Sequence, residues 1–175
     1  MVYADRDGCL AEGDALLSDT PGRLIGVKTA DCLPILLVDE RHRKVAAVHA
    51  GWRGTVTGVV QSALKAMAER WNSNAGDLHA ALGPAIGPCC YEVGPEVAIQ
   101  FGKPFARTRI DIAEANRRQL IGGGVAPERI YSIGLCTYCE AAQFHSFRRD
   151  GQKAGRLLSV IGLKNTTGAR RISRP

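Results

Sequence analysis

Apolar positions along this chain fall into two rhythms. RLIGVKTA (23–30), LPILLVDE (33–40) and KVAAVHA (44–50) are short runs rich in Val, Ile and Leu, the pattern of strands, and the polar ERHR between the last two reads as a turn, predicting a hairpin. From Val56 the period changes. Val56, Val59, Val60, Ala63, Leu64 and Met67 recur at helical spacing, one apolar stripe on a helix predicted from about Thr55 to Trp71. A strand around HAALG (79–83) follows, then the Gly/Pro-rich GPAIGPCCYEVGPE, with a short helix starting near Pro95 because proline suits a first helical turn. Asp111 and Glu114 have the spacing of a capping box, and Gly122-Gly123-Gly124 stops the helix they begin. RIYSIG (129–134) and RLLSVIGL (156–163) supply late strands. The expectation is an α/β (α+β) fold, a mixed sheet packed with helices, in a single domain over residues 1–163 with a loose basic tail over 164–175.

With 175 residues and 45% hydrophobic content, the chain can bury a core without covalent staples. No apolar run approaches the roughly 18 residues that span a bilayer, and the opening MVYADRDGCLAEGDALL has no basic segment leading into an apolar one. A cytoplasmic protein without a membrane partner is therefore expected. Cys9, Cys32, Cys89, Cys90, Cys136 and Cys139 lack the density of a secreted disulfide scaffold and read as reduced thiols. The net charge of +6 owes much to the tail GARRISRP and to pairs such as Arg117-Arg118 and Arg148-Arg149. That scatter favours small anionic ligands over nucleic acid.

The candidate chemistry centres on AAVHAGWRGT (46–55). If Glu40 and Arg41 form a two-residue hairpin loop, Cys32 falls opposite His49, with Cβ atoms about 4.5–5.5 Å apart. A one-residue slip would put the two side chains on opposite faces. Such a pair suits Zn²⁺, whose catalytic sites use three protein ligands and leave a fourth position open. It suits equally a thiol nucleophile with an imidazole base. A plain structural role, a hydrogen-bonded histidine and a small buried thiol, stays open beside both. Arg53, in the adjacent turn, offers a fixed cationic fork. Trp52 reads as core or pocket wall. GPAIGPCCYEVG either wraps a ligand with its backbone or is a chain of turns. Cys136 and Cys139 have C-x-x-C spacing without a second pair at zinc-ribbon distance, and Cys89-Cys90 is not expected to act as a ligand pair. In SFRRDG, Arg148 or Arg149 binds phosphate, or the segment is a solvated turn.

TADCLPILL, AAVHAGWRGT, ALGPAIGPCCYEVG, CTYC and FRRDG, in this order, resemble the YfiH/YlmD family, also called laccase-domain or polyphenol oxidoreductase proteins, from about Gly13 to Leu163. The resemblance implies one α/β domain, similar to toxin cysteine hydrolases, with zinc held by one cysteine and two histidines. It implies phosphorolysis of adenosine, inosine and methylthioadenosine to base and ribose 1-phosphate, and deamination of adenosine, so the implied partners are a purine nucleoside and phosphate. Older descriptions make the family copper-dependent polyphenol oxidases. Carried across by motif, the metal ligands are Cys32 and His49; Arg53, Arg148 and Arg149 are the candidate substrate contacts by charge. The family's third ligand, a histidine in a Gln-Val-His-Gly segment upstream of the part matching Gly13, has no counterpart in this sequence, so a truncated or shortened member is expected. His42, His79 and His145 stand outside any matching motif, and His145, beside SFRRDG, ranks first among them. Three alternatives remain: a copper oxidase, a metal-free Cys-His amidase-like hydrolase, and an inactive shortened relative.

Overall fold

The computed structural model describes residues 1–4 and 13–165. Cys9 and the part of the expected tail beyond Asn165 lie outside the described residues. The strands are β1 (Val2–Tyr3), β2 (Ala15–Ser18), β3 (Leu24–Thr29), β4 (Leu33–Asp39), β5 (Lys44–Ala50), β6 (Leu78–Leu82), β7 (Glu92–Val93), β8 (Thr108–Arg109), β9 (Ile130–Ser132) and β10 (Leu157–Gly162). The helices are α1 (Trp52–Val56), α2 (Val59–Trp71), α3 (Pro95–Ala98), α4 (Ile112–Gly122) and α5 (Phe147–Asp150). Six strands form one mixed sheet in the order β1-β2-β5-β4-β6-β9, parallel at both edges and antiparallel between. This is the expected mixed sheet with helices.

Alternation along the central strands assigns the two faces. Leu33, Ile35 and Leu37 of β4 and Ala46, Val48 and Ala50 of β5 pack with Val60, Ala63, Leu64 and Met67 of α2 and Leu120 of α4. The opposite face, through Val45, Ala47, Leu36 and Val38, is covered by Ile25 and Val27 of β3 and Ile161 of β10. β3 and β10 pair antiparallel as a separate ribbon. A third cluster, Val93, Val97, Ala98 and Ile110, packs against Trp52 and Tyr91. Trp52 touches this cluster and the helix-side core alike, which makes it core.

Two expectations need correction. The hairpin register runs from Leu33↔Ala50 to Asp39↔Lys44, so Pro34, not Cys32, lies opposite His49. The loop has four residues instead of two, because the fully buried carboxylate of Asp39 accepts from the His42 N–H at 2.9 Å and meets His42 Nδ1 at 2.8 Å. An Asx-type turn of this kind replaces the tight hairpin loop. The shift is by two residues, so Cys32 keeps its face and sits diagonal to His49 instead of directly across.

The expected long helix is two helices. Gly58, at φ 74° and ψ 43°, is left-handed, and its N–H bonds Thr55 O, which ends α1 before α2 starts. Val56 therefore leaves the stripe and is 37% exposed, while Val59, Val60, Ala63, Leu64 and Met67 are buried as the period requires. Asp111 caps α4 as predicted, accepting from the Glu114 N–H at 2.9 Å.

Candidate active site

Odd and even positions place His49 on the ribbon side of β5, at the end where β3 runs into Ala30 and Asp31. Cys32 follows directly, and its Sγ and His49 Cε1 lie 3.2 Å and 3.9 Å from the point where Gly51 would carry a Cβ. Gly51 thus leaves the space in which thiol and imidazole converge. His49 Nδ1 is 2.9 Å from Asp14 Oδ1, which directs Nε2 away from Asp14. Contact with the Cys32 thiol, opposed by burial and reinforced by Asp14, pushes His49 up to about 9.

A cleft of about 430 Å³ opens over this pair, lined by Lys28, Thr29, Asp31, Tyr91, Arg148 and Arg156 among others. Asp31 organises it. Held at a positive φ of 83°, Asp31 accepts from the Thr137 hydroxyl at 2.7 Å and from the Arg148 backbone N–H at 2.6 Å, and its carbonyl accepts from the Ile86 N–H. One residue, through its side chain and its backbone carbonyl, therefore ties three distant loops to the end of β3. Arg148 donates from its guanidinium to Glu92 O at 2.8 Å and lies over the Tyr91 ring at 5.4 Å. Burial pushes the Tyr91 phenol up. Lys28, Arg148 and Arg156, set against the single carboxylate of Asp31, leave the cleft net cationic. Thr29 Oγ1, buried on the wall, has no hydrogen-bond partner among the described residues.

The other candidates are placed elsewhere. Arg53 is exposed, stacks on Trp52 at 4.2 Å and stands outside the cleft lining. Arg149 is committed to the fold: it donates to the carbonyls of Thr137, Tyr138 and Phe144 and pairs with Asp150 at 2.9 Å. His42 is bonded to Asp39 at the far end of the hairpin, and His79 stacks on Tyr131 with centroids 6.0 Å apart. His145 Nε2 abuts Gly155. Among the described residues, His49 is the one histidine lining the cleft. Sequence reasoning missed Asp14, Asp31, Lys28, Tyr91 and Arg156. Only Asp31 and Tyr91 carried a signal, since both lie inside quoted motifs.

A second thiol group lies close by. The Sγ atoms of Cys89, Cys90, Cys136 and Cys139 all fall within 4.8 Å of one another. Cys89 and Cys90, not expected as a ligand pair, sit on a turn over residues 88–90 that brings both thiols to Cys136 and Cys139.

This fold and cleft define a laccase-type domain: the chain matches, over residues 1–164, the family described as "Multi-copper polyphenol oxidoreductase laccase", and it belongs to that family. Among its relatives, it is 38% identical over 161 residues to the purine nucleoside phosphorylase of Bacteroides thetaiotaomicron, covering 85% of this chain and 60% of that protein. It is 36% identical over 170 residues to adenosine deaminase RL5 from an unknown prokaryotic organism, covering 90% of this chain and 64% of the relative. The crystal structure of YlmD from Geobacillus stearothermophilus superposes with a TM-score of 0.83 at 36% identity, over 87% of this chain and 61% of that one. The chain thus spans about three-fifths of the length of these relatives.

Proposed function

We propose that this chain carries the catalytic cleft of a purine nucleoside phosphorylase that also deaminates adenosine. The observation that carries the reading is the convergence of Cys32 and His49 under a cationic cleft, on a chain whose relatives bear those two names. A thiol and an imidazole whose other nitrogen is held by a carboxylate are the donors a zinc ion prefers, so Cys32 and His49 fit a metal, with Asp14 behind the histidine. They would supply two of the three protein ligands of a catalytic zinc site; no second histidine joins them among the described residues. A zinc or copper ion bound there supplies Lewis acidity to the cleft.

The protein's own groups supply the rest. Arg148, its backbone fixed by Asp31 and its guanidinium by Glu92 O, presents a pre-oriented charge to a phosphate, and Lys28 and Arg156 add to it. Positioning phosphate against the ribose anomeric carbon is the work such a clamp does best. Arg53, outside the cleft lining, reaches the cleft through its charge, which is felt at Tyr91. Arg149 holds the loop that presents Arg148.

Metal-replete protein incubated with inosine and phosphate should yield hypoxanthine and ribose 1-phosphate, and adenosine should yield inosine, read by chromatography. Absence of all these products defeats the proposal and leaves an inactive relative. Elemental analysis separates zinc from copper. Copper together with oxygen-dependent turnover of a phenol would replace this reading with an oxidase.

A second reading is favoured by one observation, the approach of Cys32 Sγ and His49 Cε1 to within 3.2 Å and 3.9 Å of the same point beside Gly51. In it, His49 holds the Cys32 proton, and the thiolate–imidazolium pair acts without metal on an amide, the thiolate as nucleophile and the imidazolium as proton donor to the leaving amine. Iodoacetamide reacting with Cys32 no faster than with free cysteine at neutral pH sinks it. Among the described residues no helix is long and apolar enough to cross a membrane, and the five described cysteines are free thiols. The free thiols support placing the protein in the cytoplasm.

A further inference from the structure

We propose that Cys89, Cys90, Cys136 and Cys139 form a second, structural metal site that takes one Zn²⁺ in a closed tetrathiolate shell, separate from the Cys32–His49 pair. Four sulfurs around one zinc at about 2.3 Å stand about 3.8 Å apart at the edges of a tetrahedron. Here Cys139 Sγ is 3.6 Å from Cys89 Sγ and 3.4 Å from Cys90 Sγ, and all four atoms fall within 4.8 Å. A disulfide requires about 2.05 Å. A polynuclear iron–sulfur cluster places its own irons and sulfides between the thiolates and needs a wider cage than this. Tetrahedral sulfur ligation around a single ion is the chemistry that remains.

The backbone around the sulfurs points the same way. Gly87 donates its N–H to Cys136 Sγ at 3.3 Å, a bond that stabilises a thiolate. Gly87 also leaves room for the sulfurs: a Cβ there would stand 3.3 Å from Cys136 Cβ and 3.4 Å from Cys89 Sγ. The two loops already meet at the Ala85↔Cys136 bridge, and the Glu140 N–H bonding to Cys136 O forms the turn that brings Cys139 over Cys136. Binding releases the four thiol protons to solvent and forms four zinc–sulfur bonds, with no change in oxidation state.

The site's place gives it a purpose. The loop with Cys89 and Cys90 also carries Ile86, Tyr91 and Glu92, which bond Asp31, line the cleft and accept from Arg148. The loop with Cys136 and Cys139 carries Thr137, which bonds Asp31 and Arg149. Zinc there pins the two walls of the cleft to each other from outside.

The test uses the full chain carrying Cys32→Ala, which removes the thiol of the other pair. Expected are one zinc per chain, maleimide protection of Cys89, Cys90, Cys136 and Cys139 that a chelator abolishes, and a tetrathiolate absorption envelope when Co²⁺ replaces zinc. Adding Cys139→Ser should weaken Co²⁺ binding at least tenfold and alter that envelope. Cys89→Ser, at an exposed position, should do likewise and guards against a folding defect. Labelling of all four thiols without chelator, or a mass lower by two hydrogens with a Cys139 disulfide in peptide maps, overturns the proposal. Because Cys32 is absent, neither result bears on the nucleoside chemistry.

Discussion

Single side chains decide both the hairpin and the cleft. Asp39 is fully buried, and although burial pushes its carboxyl up, the neighbouring Ser73 hydroxyl and the hydrogen bonds from the His42 N–H and ring outweigh that and hold it below its ordinary 3.8. A depressed carboxyl contributes stability that is present above its unfolded value and lost as pH falls through its folded one. Asp39→Asn should therefore lower stability by about 1–3 kcal/mol at neutral pH. In urea titrations the gap between variant and wild type should narrow below pH 3.8; a gap independent of pH refutes the assignment. Asp14→Asn releases His49 Nδ1 from its carboxylate. Zinc affinity at the Cys32–His49 pair should fall roughly 10–100-fold, measured by competition with a chromogenic chelator. At this scale the sequence was readable where a residue acts locally, as Asp111 does in capping α4. It was unreadable where the partner is remote: Asp14 meets His49 across 35 positions and Asp31 meets Arg148 across 117, and no local period reports such a contact.

Elements were legible wherever a periodic apolar pattern ran long enough. β3, β4, β5, β6 and α2 all appear where their rhythm predicts, whereas β1, β7 and β8, two residues each, have no rhythm to read. The break between α1 and α2 escaped notice because apolar spacing continues through Val56 while the backbone turns left-handed at Gly58. An alanine there would be strained and would set its Cβ 2.4 Å from Gln61 Oε1, so Gly58→Ala should destabilise by about 1 kcal/mol, seen as a lower urea midpoint with unchanged slope. Met67, fully buried on α2 against the sheet, is a harsher probe. Met67→Ala should cost about 2–5 kcal/mol by calorimetry or urea, through the cavity it leaves.

For the whole molecule, the motifs pointed to Cys32, His49 and Arg148, which line one cleft, but also to Arg53 and Arg149, which do not, and the net charge of +6 did not foretell where the charge is used. Lys28, Arg148 and Arg156 come from three separate segments and share one cleft. Arg148→Gln should raise the KM for phosphate more than that for nucleoside, and added salt should mimic it by screening; equal effects on both substrates would remove Arg148 from the phosphate role. The assembly around Asp31 also carries a kinetic consequence. Its hydrogen bonds to Thr137 and Arg148 span most of the chain, and such loops are the last to close because their chain entropy is lost before any contact offsets it. During refolding the central hairpin and its helix should form first, and ligand capture should lag behind recovery of far-ultraviolet ellipticity. The cleft would then act as a timekeeper for the chain, able to hold a nucleoside only after the final segment has arrived.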